Sequence, residues 1–274
     1  MNLPELWSST SLAIHPVPPH RTVDLRLDKT FLLIEGHPDS DLGHPPKYTN
    51  SRNAGGHWAF ARSIPLRCAP LKPKSGLNGP PVGLYVQDYG GPVGFRIATR
   101  NPAALEWLII QNTNAYEVGF SAAWGGLRNA LWLDRSKENE LGAAGLLELE
   151  TIKATYLGGS SNPALISPDT WNMDYFHTLQ RPFGRQLQLD LFYDYRNNVT
   201  LYPKWQEFLK RQQPKTIIFW GQGDIFFTPE GGEAYLHDLP KAEMHRLAAG
   251  HFATEDCLNY IAEHIHTFYV KVVA

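Results

Sequence analysis

The sequence is poor in cysteine and in long apolar runs, and it has almost no excess of charge. Cys68 and Cys257 are its only cysteines. Because residues 1–9 lack a basic region followed by an apolar block, we expect a cytoplasmic protein with free thiols. No apolar run approaches the ~20 residues that a membrane-spanning helix needs. With 25 lysines and arginines against 27 aspartates and glutamates, the charge gives no electrostatic basis for binding nucleic acid.

Motifs that would identify a cofactor or a serine nucleophile are also missing. The 11 histidines form neither a Cys/His cluster nor a His-Glu-x-x-His pair, so no metal is predicted. The glycines of 90–94 lack the Gly-Lys-Ser/Thr ending of a phosphate loop and the fingerprint of a dinucleotide site, so no cofactor is expected. No Gly-x-Ser-x-Gly occurs, which argues against a serine esterase.

The chain does contain enough apolar residues for a large core, since 43% of its 274 residues are hydrophobic. Strand, helix and strand within residues 82–111 require a parallel pair joined by a right-handed crossover. We therefore predict an α/β fold with a mostly parallel sheet flanked by helices. Short apolar runs predict buried strands at 31–34, 82–87, 105–111, 216–220 and 243–247. Helical spacing is found at 91–100, 229–236 and 255–270.

Two stretches depart from this alternation of strands and helices. Residues 113–213 carry helical spacing and no convincing strand, which predicts a helical cap inserted into a core of residues 1–112 and 214–274. The predicted cap helices span 122–133, 140–156, 168–178 and 190–211. Residues 41–80 are rich in Pro, Gly, Asn and Lys and show no clear helix or strand. The N-terminal part of the sheet, within residues 1–80, is therefore expected to be atypical or incomplete.

The most informative stretch is the end of the second predicted strand, Val86-Gln87-Asp88-Tyr89-Gly90-Gly91. A strand that stops at a reactive side chain, turns through small residues and enters a helix is the layout of a nucleophile elbow. The residue at the tip is Asp88 and not serine. Asp88 could simply cap the helix. A carboxylate at this tip also suits attack on a saturated carbon, because it leaves an ester that water can hydrolyse.

Two further polar residues follow core strands. Asp224 ends the turn Gly221-Gln222-Gly223-Asp224, and His251 lies in Gly250-His251-Phe252. Each alone is compatible with an ordinary turn. With Asp88 they stand in the order nucleophile, acid, histidine, each after a strand, as in α/β-hydrolases. We predict that Asp224 orients His251, which activates water to hydrolyse the ester on Asp88.

Hydrolysis of that ester passes through a tetrahedral intermediate, whose oxyanion needs two backbone N–H donors. One donor is expected from Tyr89, directly after the nucleophile. The other is expected from the loop after the strand at 31–34. In that loop, Gly36-His37-Pro38, the His37 N–H is the candidate.

Taken together, these residues resemble the α/β-hydrolase branch that holds epoxide hydrolases and haloalkane dehalogenases. The resemblance covers about residues 82–274 and is carried by the segments around Asp88, Asp224 and His251. It implies the α/β-hydrolase fold with an inserted cap, Asp88 as the nucleophile and Asp224 with His251 as the charge-relay pair. Residues 32–40 also look like the His-Gly-x-Pro loop of these families, with Glu35 where a histidine is usual.

The resemblance implies candidates for proton donation to an epoxide oxygen. Epoxide hydrolases use cap tyrosines, and residues 193–198 look like the segment that carries one of them, with Tyr195 as the donor. Tyr116 or Tyr156 is the second candidate, and the spacing does not choose between them. All of these tyrosines could instead pack the interface of core and cap.

A halide would need N–H donors in a dry cradle. Trp124, Trp132 and Trp171 lie in the predicted cap and carry indole N–H groups, although such aromatics more often serve packing. Dehalogenases commonly have Trp directly after the nucleophile, where this chain has Tyr89. The aromatic residues of the predicted cap indicate an apolar pocket.

The prediction is therefore a hydrolase that uses water on a small to medium apolar epoxide, with a substrate pocket that includes Tyr116, Trp124 and Tyr156. Two alternatives stay open at this point. One is a haloalkane dehalogenase-like hydrolase. The other is a catalytically impaired relative, a binding protein or the product of a defective gene model, because residues 1–80 fit the family poorly. The sequence predicts no oligomeric state.

Overall fold

Five parallel strands form the centre of the protein in a computed structural model that describes residues 30–34 and 82–273. They lie side by side in chain order, and every neighbouring pair is parallel. All of their carboxyl ends therefore lie at one edge, where loops can bring side chains together. The strands are β1 (Thr30–Ile34), β2 (Val82–Gln87), β3 (Leu105–Gln111), β4 (Lys215–Gly221) and β5 (Glu243–Leu247).

Nine α-helices are found in the described residues, and three of them alternate with the strands as predicted. The predicted strands are confirmed to within one residue at each end, and the three predicted core helices correspond to α1, α8 and α9. The helices are α1 (Gly90–Arg100), α2 (Lys137–Ala144), α3 (Leu149–Leu157), α4 (Pro168–Met173), α5 (Gly184–Asp194), α6 (Arg196–Val199), α7 (Tyr202–Gln212), α8 (Pro229–Asp238) and α9 (Ala253–Val273).

Both faces of the sheet are buried, which explains why its strands are almost continuously apolar. Successive side chains of a strand point to opposite faces. One face packs against α1, α7 and α8 through Leu84, Leu108, Ile110, Ile218 and Trp220. The other packs against α9 through Tyr85, Trp107, Ile109, Ile217 and Phe219.

The segment between β3 and β4 is helical, but its helices are shorter than the sequence pattern predicts. The expected helix over 140–156 is interrupted by a 3₁₀ turn at Gly145–Leu147, where glycine favours a break. The expected helix over 190–211 is three helices, α5, α6 and α7. Pro203 lies in the first turn of α7, a position that suits a helix start because proline has no N–H to donate.

In two further places the local winding differs from a regular α-helix. Residues Leu127–Leu131 and Asp174–Leu179 form π-helical turns, which occur mostly as short insertions and frequently at functional sites. Among the described residues, none of the helices combines the length and apolar character that crossing a bilayer would require.

Of residues 1–80, the structure describes only β1. It pairs with β2 in register from Thr30 with Val82 to Ile34 with Val86. The carboxyl end of β1 therefore lies beside that of β2, which leads into the turn that carries Asp88. His37 and the rest of that loop, like the stretch 41–80, lie outside the described residues.

Candidate active site

Asp88 stands at a sharp turn between β2 and α1. Its φ of +43° lies in the left-handed region, which is strained for a residue with a Cβ. The Asp88 N–H donates to the Asn112 carbonyl (3.2 Å), and the Asp88 carbonyl accepts from the Gly91 N–H (3.0 Å) and the Thr113 hydroxyl (2.6 Å). A Cβ on Gly91 would lie 1.8 Å from Thr113 Oγ1, so glycine is what lets this turn close.

His251 lies between the carboxylates of Asp88 and Asp224. Its Nδ1 is 2.9 Å from Asp224 Oδ2, and its Nε2 is 3.9 Å from Asp88 Oδ2. Since Asp224 accepts from Nδ1–H, Nε2 is the nitrogen that faces Asp88. The Asp88 side chain is 20% exposed and that of His251 only 3%, so Asp88 is the member of the trio that an incoming molecule meets first.

Asp224 is held by the loop that follows β4. Its side chain is fully buried, and a buried carboxylate needs hydrogen-bond donors. Its Oδ1 accepts from the Phe226 N–H (2.7 Å) and its Oδ2 from Asn112 Nδ2 (2.8 Å), in addition to His251. The carboxylate therefore has a fixed orientation toward the imidazole.

Asn112 lies directly after β3 and connects the ends of β2, β3 and β4. It was not among the residues predicted from the sequence. Its amide donates to Asp224, its side-chain oxygen accepts from the Gly221 N–H (2.9 Å), and its backbone carbonyl accepts from the Asp88 N–H. Its φ of +34° is also left-handed, a conformation in which asparagine is enriched. Its position after a buried strand is the signal that could have identified it.

Replacing Asn112 by alanine is expected to lower the free energy of unfolding by about 1–3 kcal/mol, because the Gly221 N–H would be left buried without an acceptor. Urea unfolding followed by circular dichroism measures this loss. Asn129→Ala is the matched control, since Asn129 is exposed and its replacement should leave the midpoint nearly unchanged. Equal midpoints for the two variants would contradict the bridging role of Asn112.

The electrostatics of the trio centre on His251. Burial lowers its pKa, but attraction to and hydrogen bonding with Asp224, and then the contributions of Asp88, raise the pKa to about 10. The ring is therefore an imidazolium at neutral pH. Because Asp88 supplies part of the increase, any change that removes the charge of Asp88 lowers the pKa of His251.

A mainly apolar cavity of about 110 Å³ opens at Asp88. It lies between the strand ends and the helical segment that joins β3 to β4, and both contribute to its wall. The strand-end side is formed by Asp88, Tyr89, Phe226, His251 and Phe252. The helical side is formed by Ala123, Trp124, Leu127, Leu146, Leu147, Ile152, Thr155, Tyr156, Asp174, Thr178, Leu179, Gln188 and Phe192.

Two of the three residues predicted for the substrate pocket line this cavity. Trp124 and Tyr156 do so, and the ring of Tyr156 stacks on Phe252 with centroids 4.1 Å apart. Tyr116 does not line the cavity, contrary to expectation. Its hydroxyl donates to the buried Asp238 (2.9 Å), which satisfies that carboxylate and holds Tyr116 under α8.

Tyr195, the predicted proton donor, lies behind the cavity wall. Its ring packs against Tyr89 and Trp124, with centroids 5.3 and 4.7 Å apart. The hydroxyls of Tyr89 and Tyr195 are both buried. That of Tyr89 has no hydrogen-bond partner within the described residues, and that of Tyr195 interacts with Tyr202. Burial, with a further contribution from Asp88, raises the pKa of both phenols well above the usual value. Both therefore keep their protons at neutral pH.

Two of the three indole N–H groups that would suit a halide are already used. Trp124 Nε1 donates to the Phe226 carbonyl (3.1 Å) and Trp132 Nε1 to the Phe192 carbonyl (2.8 Å). These two indoles therefore hold the wall together, and the phenols that line the cavity with Asp88 are those of Tyr89 and Tyr156.

Known proteins similar to this chain are hydrolases and a decarboxylase. No protein-family model matches it. It is 31% identical over 191 residues to the uncharacterized hydrolase YNR064C of Saccharomyces cerevisiae, covering 69% of this chain and 66% of that protein. It is 27% identical over 205 residues to a cis-3-alkyl-4-alkyloxetan-2-one decarboxylase of Shewanella oneidensis, covering 68% and 59%. The chain thus spans less than two thirds of the length of these relatives.

Among solved structures, the fold is similar to the haloalkane dehalogenase DbeA from Bradyrhizobium elkani. The match has a TM-score of 0.53 at 18% identity and covers 70% of this chain and 68% of that one. The similarity agrees with the parallel sheet. The fold of the chain is therefore the α/β-hydrolase fold.

Proposed function

We propose that this chain is a hydrolase in which the Asp88 carboxylate attacks a saturated carbon of a small apolar substrate, and that an epoxide is its substrate class. The observation that carries the proposal is the position of His251. Its Nε2 is 3.9 Å from Asp88 Oδ2, and its Nδ1 is fixed by Asp224 at 2.9 Å. A base in this position can activate a water molecule to attack the carbonyl carbon of an ester formed on Asp88.

The reaction has two steps. In the first, an Asp88 oxygen bonds to an epoxide carbon, the ring C–O bond breaks, and the released oxygen takes a proton from a neighbouring donor. In the second, His251 accepts a proton from water and the water oxygen attacks the ester carbonyl. The tetrahedral intermediate then breaks its bond to the substrate oxygen, which takes the remaining proton of the former water to give the diol, and Asp88 is restored as a carboxylate. Water and substrate are the only reactants required.

The charges of the trio suit this order of events. Before attack, the His251 imidazolium lies between two carboxylates. Forming the ester removes the charge of Asp88, and with it part of what raises the pKa of His251. The ring then releases its proton more readily, to the donor that has protonated the released oxygen, and becomes available as a base when the second step needs one.

The oxyanion donors proposed from the sequence fit this scheme. The Tyr89 N–H has no acceptor within the described part of the chain and lies directly after the nucleophile, where an oxyanion donor is needed. The second donor is proposed to be the His37 N–H, which lies outside the described residues. Residues 113–213 are proposed to act as the cap that closes the cavity over Asp88.

The environment of Asp88 favours an epoxide over a halide. The buried hydroxyl of Tyr89 has no hydrogen-bond partner in the described residues, and a phenol, that of Tyr89 or of Tyr195, can protonate the alkoxide that ring opening releases. Tyr195 would need a shift of the wall between it and the cavity, whereas Tyr89 already lines the cavity. Tyr156 is a poorer donor, because its proton already goes to Asp174.

Displacement of a halide is the second candidate, because the step at carbon is the same and the mainly apolar wall accepts a haloalkane. At about 110 Å³, the cavity is small beside the ~300–1,000 Å³ of typical ligand sites. Substrates of a few carbon atoms fit it best, whichever atom leaves.

A single turnover in water enriched in oxygen-18 is expected to give an unlabelled product, because the new oxygen comes from Asp88 and only its replacement comes from water. The enzyme would be in excess over 1,2-epoxypropane or 1-bromopropane, with the product analysed by mass spectrometry. Asp88→Asn serves as the control and should convert neither substrate.

The outcomes separate the three hypotheses. Label in the first-turnover product would contradict the covalent intermediate. Conversion of 1-bromopropane without conversion of the epoxide would favour the dehalogenase alternative. A lack of conversion of either substrate by the unmodified protein would indicate a catalytically impaired relative.

A further inference from the structure

The segment that follows α3, residues 158–160, touches both of the loops that carry the relay pair. A Cβ on Gly159, whose φ is +74°, would lie 1.9 Å from the carbonyl oxygen of Gly223, in the loop after β4. A Cβ on Gly250, in the loop after β5, would lie 2.1 Å from the Gly158 carbonyl oxygen. Backbones this close leave no space for side chains, so the helical segment and the two loops meet in one packed junction.

Asp256, in the first turn of α9, links this segment to the residue before His251. Its Oδ1 accepts from the Ser160 hydroxyl, and its Oδ2 accepts from the Gly250 N–H in a long hydrogen bond of 3.4 Å. The Ser160 oxygen also accepts from the Asn162 N–H (3.1 Å), and its one proton goes to Asp256. Each oxygen of the Asp256 carboxylate therefore holds a different loop.

Hydrogen bonds hold His251 at its carbonyl, at its ring and at the residue before it. Its carbonyl accepts from Gln87 Nε2 (3.3 Å), and its Nδ1 donates to Asp224 (2.9 Å). Gly250 is buried, so its N–H needs an acceptor, and Asp256 supplies it. Removing that acceptor would free the peptide that leads into His251, whose Nε2 must stay directed at the nucleophile.

We propose that Asp256 is a positioning residue for His251, and that through Ser160 it makes the segment 158–160 part of the support on which hydrolysis of the ester depends. The inference rests on the proposed function for its effect on turnover. Asp256 is not among the described residues that line the cavity, so it acts through His251. Its effect is expected at the second step, which needs a base at Nε2, and much less at the attack by Asp88, which a different turn holds.

The kinetic test separates the two steps. In Asp256→Ala, alkylation of Asp88 by an epoxide in a single turnover should slow less than about threefold, whereas hydrolysis of the ester should slow about tenfold or more. Asp256→Asn should restore most of the rate of hydrolysis, because an amide can accept from the Gly250 N–H and donate to the Ser160 oxygen. Glu263→Ala, which removes an exposed carboxylate from the same helix, is the matched control and should leave both steps unchanged. Equal slowing of both steps in Asp256→Ala, or no recovery in Asp256→Asn, would overturn the proposal.

A spectroscopic test does not depend on turnover. In protein labelled with carbon-13 in its histidine rings, NMR follows the titration of His251, whose signal is identified by its loss in His251→Gln. Burial lowers the pKa of His251, but Asp224 and Asp88 raise it to about 10. A ring that moves away from these acids should therefore titrate at lower pH in Asp256→Ala and, to a smaller extent, in Ser160→Ala, which provides the same test if Asp256→Ala does not fold.

The two tests fail in different ways. Titration of His251 at the same pH in these variants and in the unmodified protein would refute the positioning role, whatever the turnover. If the titration shifts as expected but no epoxide is converted by the unmodified protein, the proposed reaction fails while the positioning role of Asp256 stands.

Discussion

Glutamine in place of His251 is expected to stop the reaction after its first step, so that the alkyl ester on Asp88 accumulates and turnover falls by about 10²–10⁴-fold. Attack by Asp88 needs the carboxylate, the substrate and, for an epoxide, a phenol as proton donor, whereas hydrolysis of the ester needs a base at Nε2. Glutamine fills much of the same space but cannot accept a proton from water. The intact mass of the protein after incubation with substrate measures the adduct.

The mass of this adduct also identifies the leaving group. An epoxide adds its whole mass to Asp88, because the ring opens without losing an atom, whereas a haloalkane adds its alkyl group and loses the halide. His237→Gln is the matched control, since the His237 side chain is 81% exposed, and it should turn over normally without an adduct. If His251→Gln turned over at the normal rate, or were inactive without any adduct under conditions in which it is folded, the roles assigned to His251 and Asp88 would be wrong.

Alanine in place of Gly221 is expected to lower the free energy of unfolding by about 3 kcal/mol and to abolish most of the activity. A Cβ at residue 221 would lie 2.1 Å from the Gly250 carbonyl oxygen and 2.8 Å from that of Ala249. Both are backbone atoms, so relief requires moving the loop that carries His251. The same substitution disturbs the turn that leads to Asp224, so both members of the relay pair lose their positions.

Gly142→Ala is the matched control for the methyl group that Gly221→Ala adds. Gly142 lies in α2, and a Cβ there would meet nothing within 4 Å. Alanine is the better helix former by about 1 kcal/mol, so this variant should be as stable as the unmodified protein or more so, with normal activity. Urea midpoints and kcat/KM of the two variants would be compared. Similar values for Gly221→Ala and Gly142→Ala would mean that the loops after β4 and β5 tolerate far more movement than their close contact indicates.

The sheet and the trio could be predicted from the sequence because both follow from simple geometry. Buried parallel strands are short apolar runs, and their carboxyl ends meet at one edge of the sheet. Polar residues that follow such runs, Asp88, Asp224 and His251, are therefore expected to lie close together. Asn112 follows β3 in the same way. Its role could not be predicted, because an amide side chain transfers no proton and its bridging hydrogen bonds depend on how three separate loops meet.

The helical side of the cavity could not be predicted, for a different physical reason. Helical spacing shows which residues are apolar, but it does not determine how short helices pack against one another. Tyr195 and Tyr116 illustrate this. Both are aromatic residues in or next to the helical segment, yet Tyr195 packs behind the wall and Tyr116 bonds to Asp238 under α8. Whether a tyrosine faces the cavity or the core depends on contacts that no local pattern encodes.

The left-handed backbone conformation of Asp88 lowers the stability of the fold, although the proposed reaction needs a carboxylate at this position. A side chain in this conformation costs on the order of 1–3 kcal/mol, and glycine would adopt it without strain. Selection for stability alone would thus replace Asp88 with glycine and lose the carboxylate. The proposed role of Asp88 as the nucleophile accounts for an aspartate at a position where glycine would be more stable.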